Sequence, residues 1–316
     1  NLVSYSFIIF NSTLFVLIIC VLIFRSDLRM QFRIKKSIFI TYIKYSYPFM
    51  ISTTIRIIFD NLLIFYVNMY GNLADVANFS TAFQIYLLVS QIPMLIGKIL
   101  LVTFSRNTQN DIKKTNKVIL IGHKYIGLIF SYFCVLSLGL SDIVIKTLLG
   151  NQYHLASSIL NIILFDRISI AFFYLYYLDL QSKGHTKFSE IPPTLKLFLL
   201  IIFNIIFIEP LFPLFGIEII AYMIVLIDIL TSIFFVTIIH IKFKYDVYFG
   251  ILKQVAVVVI IFFIIQYFNF SIQSFFFNIA IKWIFITVLF FSLMFIFKVI
   301  NKNDIRFIVN ITKKIE

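Results

Sequence analysis

Hydrophobic residues fall in runs of about twenty, and the polar positions between them alternate in charge along the whole chain. Nine such runs are legible, at 2–24, 43–70, 77–104, 118–140, 155–180, 191–208, 217–241, 251–268 and 277–299. About twenty residues of helix cross a hydrocarbon core of roughly 30 Å, so each run predicts a transmembrane helix. Helices are expected rather than strands because a bilayer offers no water to backbone groups, and the runs are too long and unbroken for a barrel. The fold class expected is therefore an all-α integral membrane protein with about nine spans.

The connections set an orientation. Arg25, Arg29, Arg33, Lys35 and Lys36 form the first basic connection, and Arg106, Lys113, Lys114 and Lys117 the second. Lys183 with Lys187, Lys242 with Lys244 and Lys253, and Lys302, Arg306, Lys313 and Lys314 continue the series. The intervening connections, 71–75, 141–154, 209–218 and 269–274, carry only Lys146 as a basic residue. The positive-inside rule puts the basic set and the C-terminus in the cytoplasm. An odd span count then puts Asn1 outside; with no initiating Met and no basic signal-peptide start, a preceding N-terminal portion is expected.

Composition sharpens this picture. With 61% hydrophobic and 13% charged residues and a mean hydropathy of +1.01, there is too little polar surface for a soluble globule. The net charge of +13 sits at the inner span ends, where it orients helices and meets anionic lipid, so nucleic acid is not an expected partner. Cys20 and Cys134 both lie in apolar runs and form neither a disulfide framework nor a zinc spacing. His123, His154, His185 and His240 are scattered, no phosphate-binding glycine loop or hydrolytic triad is visible, and neither cofactor, metal nor enzymatic chemistry is expected.

The candidate chemistry lies in charges outside the connections. Arg56 and Asp60 share one helical face in the second run, Asp166 and Arg167 lie in the fifth, and Asp228 in the seventh. A charge at the bilayer centre costs about 2.5–3.5 kcal/mol even on the lenient scale, so these groups should meet one another or a wet cavity. Gln84, Gln91 and Lys98 recur at seven-residue spacing in the third run. Arg56, Asp60, Gln84, Gln91, Lys98 and Arg167 are thus candidates to line a substrate cavity, with Asp60 or Asp228 as the coupling acid. The bland alternatives are a structural Arg56–Asp60 pair, an Arg167 paired to an acid on a neighbouring helix, and a Lys98 that snorkels. Lys124, Lys196 and Lys282 are read as interfacial snorkellers.

Several stretches resemble a known family. Tyr47-Pro48-Phe49-Met50-Ile51-Ser52, Asp60, Tyr70-Gly71-Asn72-Leu73-Ala74-Asp75-Val76-Ala77 and Ser80-Thr81-Ala82 are similar to the start of the second lobe in polysaccharide exporters and O-antigen flippases of the MOP superfamily. Gly150-Asn151-Gln152-Tyr153-His154-Leu155-Ala156 is similar to the opening of their tenth helix, and Gln181-Ser182-Lys183-Gly184-His185-Thr186-Lys187 to its end. The resemblance implies a two-lobed MATE-like bundle. Residues 1–24 would be the last helix of the first lobe, 25–42 a basic cytoplasmic connection, 43–241 the second six-helix lobe, and 242–316 two further helices with a cytoplasmic tail. It also implies a flippase moving undecaprenyl-diphosphate-linked oligosaccharide across a bacterial cytoplasmic membrane by alternating access, for O-antigen or capsule, with H+ or Na+ as a possible coupling ion. A multidrug exporter of the same superfamily and a membrane glycan polymerase or acyltransferase are the alternatives.

The charge alternation makes a direct prediction. In a chain lacking Cys20 and Cys134, single cysteines at Asn72, Asn151 and Ser271 should react with an impermeant thiol reagent in intact cells, and those at Asn110 and Ser182 should not. Labelling of the second pair from outside would reverse the orientation.

Overall fold

The computed structural model describes residues 11, 14, 15, 18, 19, 36–107, 112–267, 275–301 and 304. The described residues are helical almost throughout and include no strand. Ten helices are labelled α1 (Lys36–Tyr70), α2 (Leu73–Asn107), α3 (Ile112–Leu149), α4 (His154–Ala171), α5 (Tyr174–Ser182), α6 (Ile191–Phe203), α7 (Glu209–Phe215), α8 (Glu218–Phe243), α9 (Gly250–Tyr267) and α10 (Phe275–Ile296). Seven helical stretches of the described residues are long and apolar enough to cross a membrane. The protein is an all-α integral membrane protein. Most of the expected first span, the basic stretch 25–35, the connection 269–274 and the tail beyond Asp304 lie outside the described residues.

The chain forms two compact units, 1–46 and 47–316. The boundary falls just before Pro48, whose missing N–H removes one bond from the interior of α1. In the first unit the described residues are helical. In the second, α4 and α8 are central: 61% of each span is buried, against 17% in α10. The helix α4 packs on α2, α3 and α8, while α9 and α10 pack on α3.

Small residues set the closest approaches. A Cβ at Gly127 would collide with the Gln254 side chain of α9, and one at Gly139 with the Ile286 side chain of α10. Without a hydrophobic drive between helices in lipid, such contact is what holds them together. Gln254 uses its proximity to donate to the Lys124 carbonyl at 3.0 Å.

Two of the quoted motifs have a clear local purpose. Asn72 Oδ1 accepts from the N–H groups of Ala74 (2.9 Å) and Asp75 (3.1 Å), while Asp75 Oδ2 accepts from Asn72 N–H at 3.0 Å. That reciprocal capping satisfies the donors α2 leaves free at its start. Buried Asn78 then ties α2 to the start of α4: its Nδ2 donates to the carbonyls of Ala74 (2.9 Å) and Gln152 (3.2 Å), and its Oδ1 accepts from Ala156 N–H at 3.0 Å.

The structure corrects three boundaries. The expected connection 141–154 is mostly helix, since α3 continues to Leu149 with an exposed i,i+4 Lys146–Asp142 pair at 2.9 Å. The expected connection 209–218 contains α7, joined to α6 by a π-turn at Asn204–Ile208. Pro210 explains the wide turn, because it lacks the N–H that would close an ordinary one and its ring crowds the preceding carbonyl. The expected single span 155–180 is broken after Ala171 into α4 and α5. Polarity marks where water is tolerated, and a polar residue is compatible with helix; hydropathy alone therefore misplaces helix ends.

Asn78→Leu should lower unfolding stability by about 2–3 kcal/mol, because it leaves the Ala156 donor and two carbonyls without their partner. Leu73→Ala, at an exposed position of the same helix, should leave it nearly unchanged. Thermal unfolding of the two purified variants checks this.

Candidate functional site

Acidic and basic side chains from four helices of the second unit lie within electrostatic range of one another. Asp166 and Arg167 come from α4, Lys196 from α6, Asp228 from α8, and Arg56 with Asp60 from α1. Arg167 Nη2 lies 2.9 Å from Asp166 Oδ2, and both side chains are buried. The hydroxyl of Tyr86 on α2 donates to the same carboxylate oxygen, and the Arg167 guanidinium sits 3.8 Å from the centre of the Tyr86 ring. Tyr86 thus serves both charges of one pair: its hydroxyl solvates the anion and its ring face attracts the cation.

Lys196 forms an ion pair with Asp228 across α6 and α8, with only 17% and 2% of the two side chains exposed. Lys196 also lies within electrostatic range of Asp166, Arg167, Asp60 and Arg56. Arg167 in turn feels Asp60 and Arg56, which makes the six groups one network. Three cations and three acids leave it formally neutral. Pairing of this kind is what makes central charges tolerable in a bilayer.

Asp60 is half-buried and Arg56 is exposed; among the described residues no ion pair within 4.0 Å joins them. Arg167 pairs with its own neighbour Asp166 rather than with an acid of another helix, because Tyr86 reaches in to bridge them. Asp228 belongs to the cluster through Lys196. Gln84 and Gln91 stand exposed on α2, on the side that also exposes Leu88 and Leu95, and are not among the groups of the cluster. Lys98 is within α2, but its side chain lies outside the described residues.

Two members escape sequence reasoning. Lys196 does not snorkel: a 3-10 turn at Thr186–Glu190 starts the helical stretch early, so Lys196 lies deeper than its distance from the next polar connection suggests. The signal available was an unpaired Asp228 that needed a cation. Tyr86 lies on the buried face of α2 with Phe79, Ala82 and Phe83, where an aromatic residue reads as packing. Its hydroxyl was the only hint.

A second polar group lies outside the spans, at the end of α8. The Tyr245 hydroxyl donates to buried Asp179, and Lys183 Nζ donates to Asp179 Oδ2 (2.7 Å) and Tyr245 Oη (2.6 Å). Burial, then the adjacent carboxylate, push the Tyr245 phenol above its ordinary range. Lys124 donates to Asp304 at 2.5 Å, where Tyr125 (3.2 Å) and Asn301 N–H (2.6 Å) also donate. Partial burial works against ionisation of Asp304, but these donors, Lys124 foremost, hold its carboxyl below the usual range. Among the described residues no three His, Cys, Asp or Glu side chains converge to hold a metal.

Residues 2–158, about half of the chain, match the polysaccharide biosynthesis protein family. The match is consistent with a polysaccharide exporter and supports a role in polysaccharide biosynthesis or export. No curated protein and no solved structure matches the chain.

The Lys196–Asp228 pair makes a clear mutational prediction. Lys196→Met or Asp228→Leu alone should reduce stable insertion by about 3–5 kcal/mol, because each strands an unpaired buried charge. The double variant should recover most of that loss. Protease resistance and thermal melting of the three membrane-inserted proteins measure it, and an additive double variant would mean the two groups are uncoupled.

Proposed function

We propose, from the family match together with the charge cluster, that this chain is part of a flippase that moves undecaprenyl-diphosphate-linked oligosaccharide across the cytoplasmic membrane by alternating access. Arg56 carries the reading. It is an exposed cation in a membrane-spanning helix, without a salt-bridging acid among the described residues, beside Arg167 and Lys196 in the same network. A purely structural arginine would be satisfied by Asp60, one turn away. A diphosphate offers the geometry and charge that a guanidinium binds best, and a glycan headgroup needs a wet path.

The roles follow from position. Arg56 makes the first contact with the diphosphate, with Arg167 and Lys196 behind it, each neutralised by its own carboxylate. Asp60, unpaired with Arg56 and half-buried, is the acid best placed to take up a coupling H+ or Na+, with Asp228 as the second. Gln84 and Gln91 offer hydrogen bonds to sugar along α2. Residues 43–241 form the second lobe and 242–316 add two helices and a cytoplasmic tail, in the bacterial inner membrane. Translocation needs no covalent step, and the protein acts as a transporter rather than an enzyme.

Synthesis of the lipid-linked unit occurs at the cytoplasmic leaflet, while its polymerisation needs it outside. Loss of the full-length protein should therefore remove surface polysaccharide and accumulate inward-facing intermediate. A failed polymerase would leave single units already translocated, and a failed drug exporter would change neither. Arg56→Ala should lower export about tenfold with normal insertion, and Arg56→Ala with Asp60→Asn should not restore it. Recovery of export in the double variant would make the pair structural, and normal surface glycan in the null strain would overturn the assignment.

A further inference from the structure

The break between α4 and α5 lies one turn beyond Arg167. At the break, Phe172 N–H donates to the Ser169 carbonyl at 3.1 Å and Phe173 N–H to the Ile170 carbonyl at 3.1 Å, so the last turn of α4 tightens to i→i+3 bonding. Regular bonding resumes with Tyr177 N–H donating to the Phe173 carbonyl at 3.1 Å. Such a break in a membrane helix exposes backbone carbonyls that lipid cannot satisfy, and neighbouring helices must supply the donors.

Two side chains reach the break: one covers the Ala171 carbonyl, and the other brings a second donor to the Ser169 carbonyl, which already accepts from Phe172 N–H. His123 on α3, fully buried, reaches the Ala171 carbonyl with Nδ1 at 2.5 Å. A carbonyl only accepts, so Nδ1 carries the proton, and the buried Nε2 has no hydrogen-bond partner among the described residues. The ring lies 4.5 Å from that of Tyr176, on the α5 side of the break. Ser232 on α8 lies 3.0 Å from the Ser169 carbonyl and 2.6 Å from the Asp228 carbonyl. A hydroxyl has one proton and can donate to only one of the two at a time. Donation to Ser169 ties α8 to the break; donation to Asp228 returns the bond to α8 itself.

We propose that the α4–α5 break is the movable joint of this lobe, that His123 is the pin holding it, and that Ser232 is a latch with two alternative positions. The Asp166–Arg167 pair rides on the last full turn before the joint. Its orientation toward the substrate cavity is set by whether the joint is clamped. Ser232 belongs to the same helical turn as Asp228, so a change in the Lys196–Asp228 pair reaches Asp166 and Arg167 through one hydroxyl. His123 and Ser232 are positioning residues: they touch the backbone of the joint, and the proposal that this orients a cavity rests on the flippase reading.

Hydrogen exchange over residues 169–177 of the full-length protein in lipid nanodiscs reads the joint without any substrate. His123→Leu should accelerate exchange there about tenfold, since the break loses the donor that holds it. His123→Asn places an amide N–H where Nδ1–H stands and should restore protection, whereas His123→Gln places it one bond further out and should not. If the leucine variant does not fold, the asparagine and glutamine variants still decide. Ser232→Ala should accelerate exchange at the same segment, and Ser232→Thr, which keeps the hydroxyl, should not. Equal exchange in the asparagine, glutamine and wild-type proteins would overturn the pin, and an unchanged Ser232→Ala would overturn the latch.

Export gives the second readout. In an Arg167→Ala background, His123→Gln should cause no further loss of surface glycan if it acts through Arg167, and an independent additional loss would overturn that link. A normal exchange pattern of the kind expected, combined with no glycan phenotype in any variant or in the null strain, would keep the joint and reject the flippase reading.

Discussion

The absence of water in the membrane interior is the constraint on which the rest of this structure depends. A single central charge costs about as much as many small helix–helix contacts supply, so each ionised group must find a partner. Tyr86, Asp166 and Arg167 show how economical the solution is. One phenol stabilises an anion with its hydroxyl and a cation with its ring, and two adjacent residues of one helix become compatible where geometry would otherwise leave them pointing apart. Lys196 and Asp228 solve the same problem between two helices.

The same constraint governs the backbone. Where α4 stops, the Ala171 carbonyl is freed at a depth where lipid has no donors and His123 covers it, while Ser232 brings a second donor to the Ser169 carbonyl from another helix. Where α4 begins, Asn78 accepts from the Ala156 N–H in its first turn. The central helix is thus tethered at both ends by side chains of its neighbours. Its middle carries the charge pair, so the packing that holds α4 in place also fixes where the charges point.

Near the ends of the bundle water is available and the interactions change in kind. Asp304, Lys124 and Tyr125 join the segment after α10 to α3, and Tyr245 joins Asp179 and Lys183 at the end of α5. Together with the close approaches at Gly127 and Gly139, these links make α9 and α10 part of the packed unit, resting on α3 rather than on α4 or α8.

Helical class, approximate spans and the presence of charges that needed explaining were all determined by the sequence alone, because transfer into lipid is priced residue by residue and hydropathy reads that directly. Asp60, Asp166, Arg167 and Asp228 stood out for the same reason: they violate the local rule. Partnership was not legible. Whether Arg56 pairs with Asp60, whether Lys196 reaches the interface or an acid, and whether Tyr86 packs or donates depend on which helices are neighbours and how they are rotated. Those are set by contacts between residues far apart in the chain. The break after Ala171 belongs to the same class, since no proline or glycine marks it in the sequence. It persists because donors from α3 and α8 arrive at carbonyls of the last turn of α4, and only the tertiary structure brings them there.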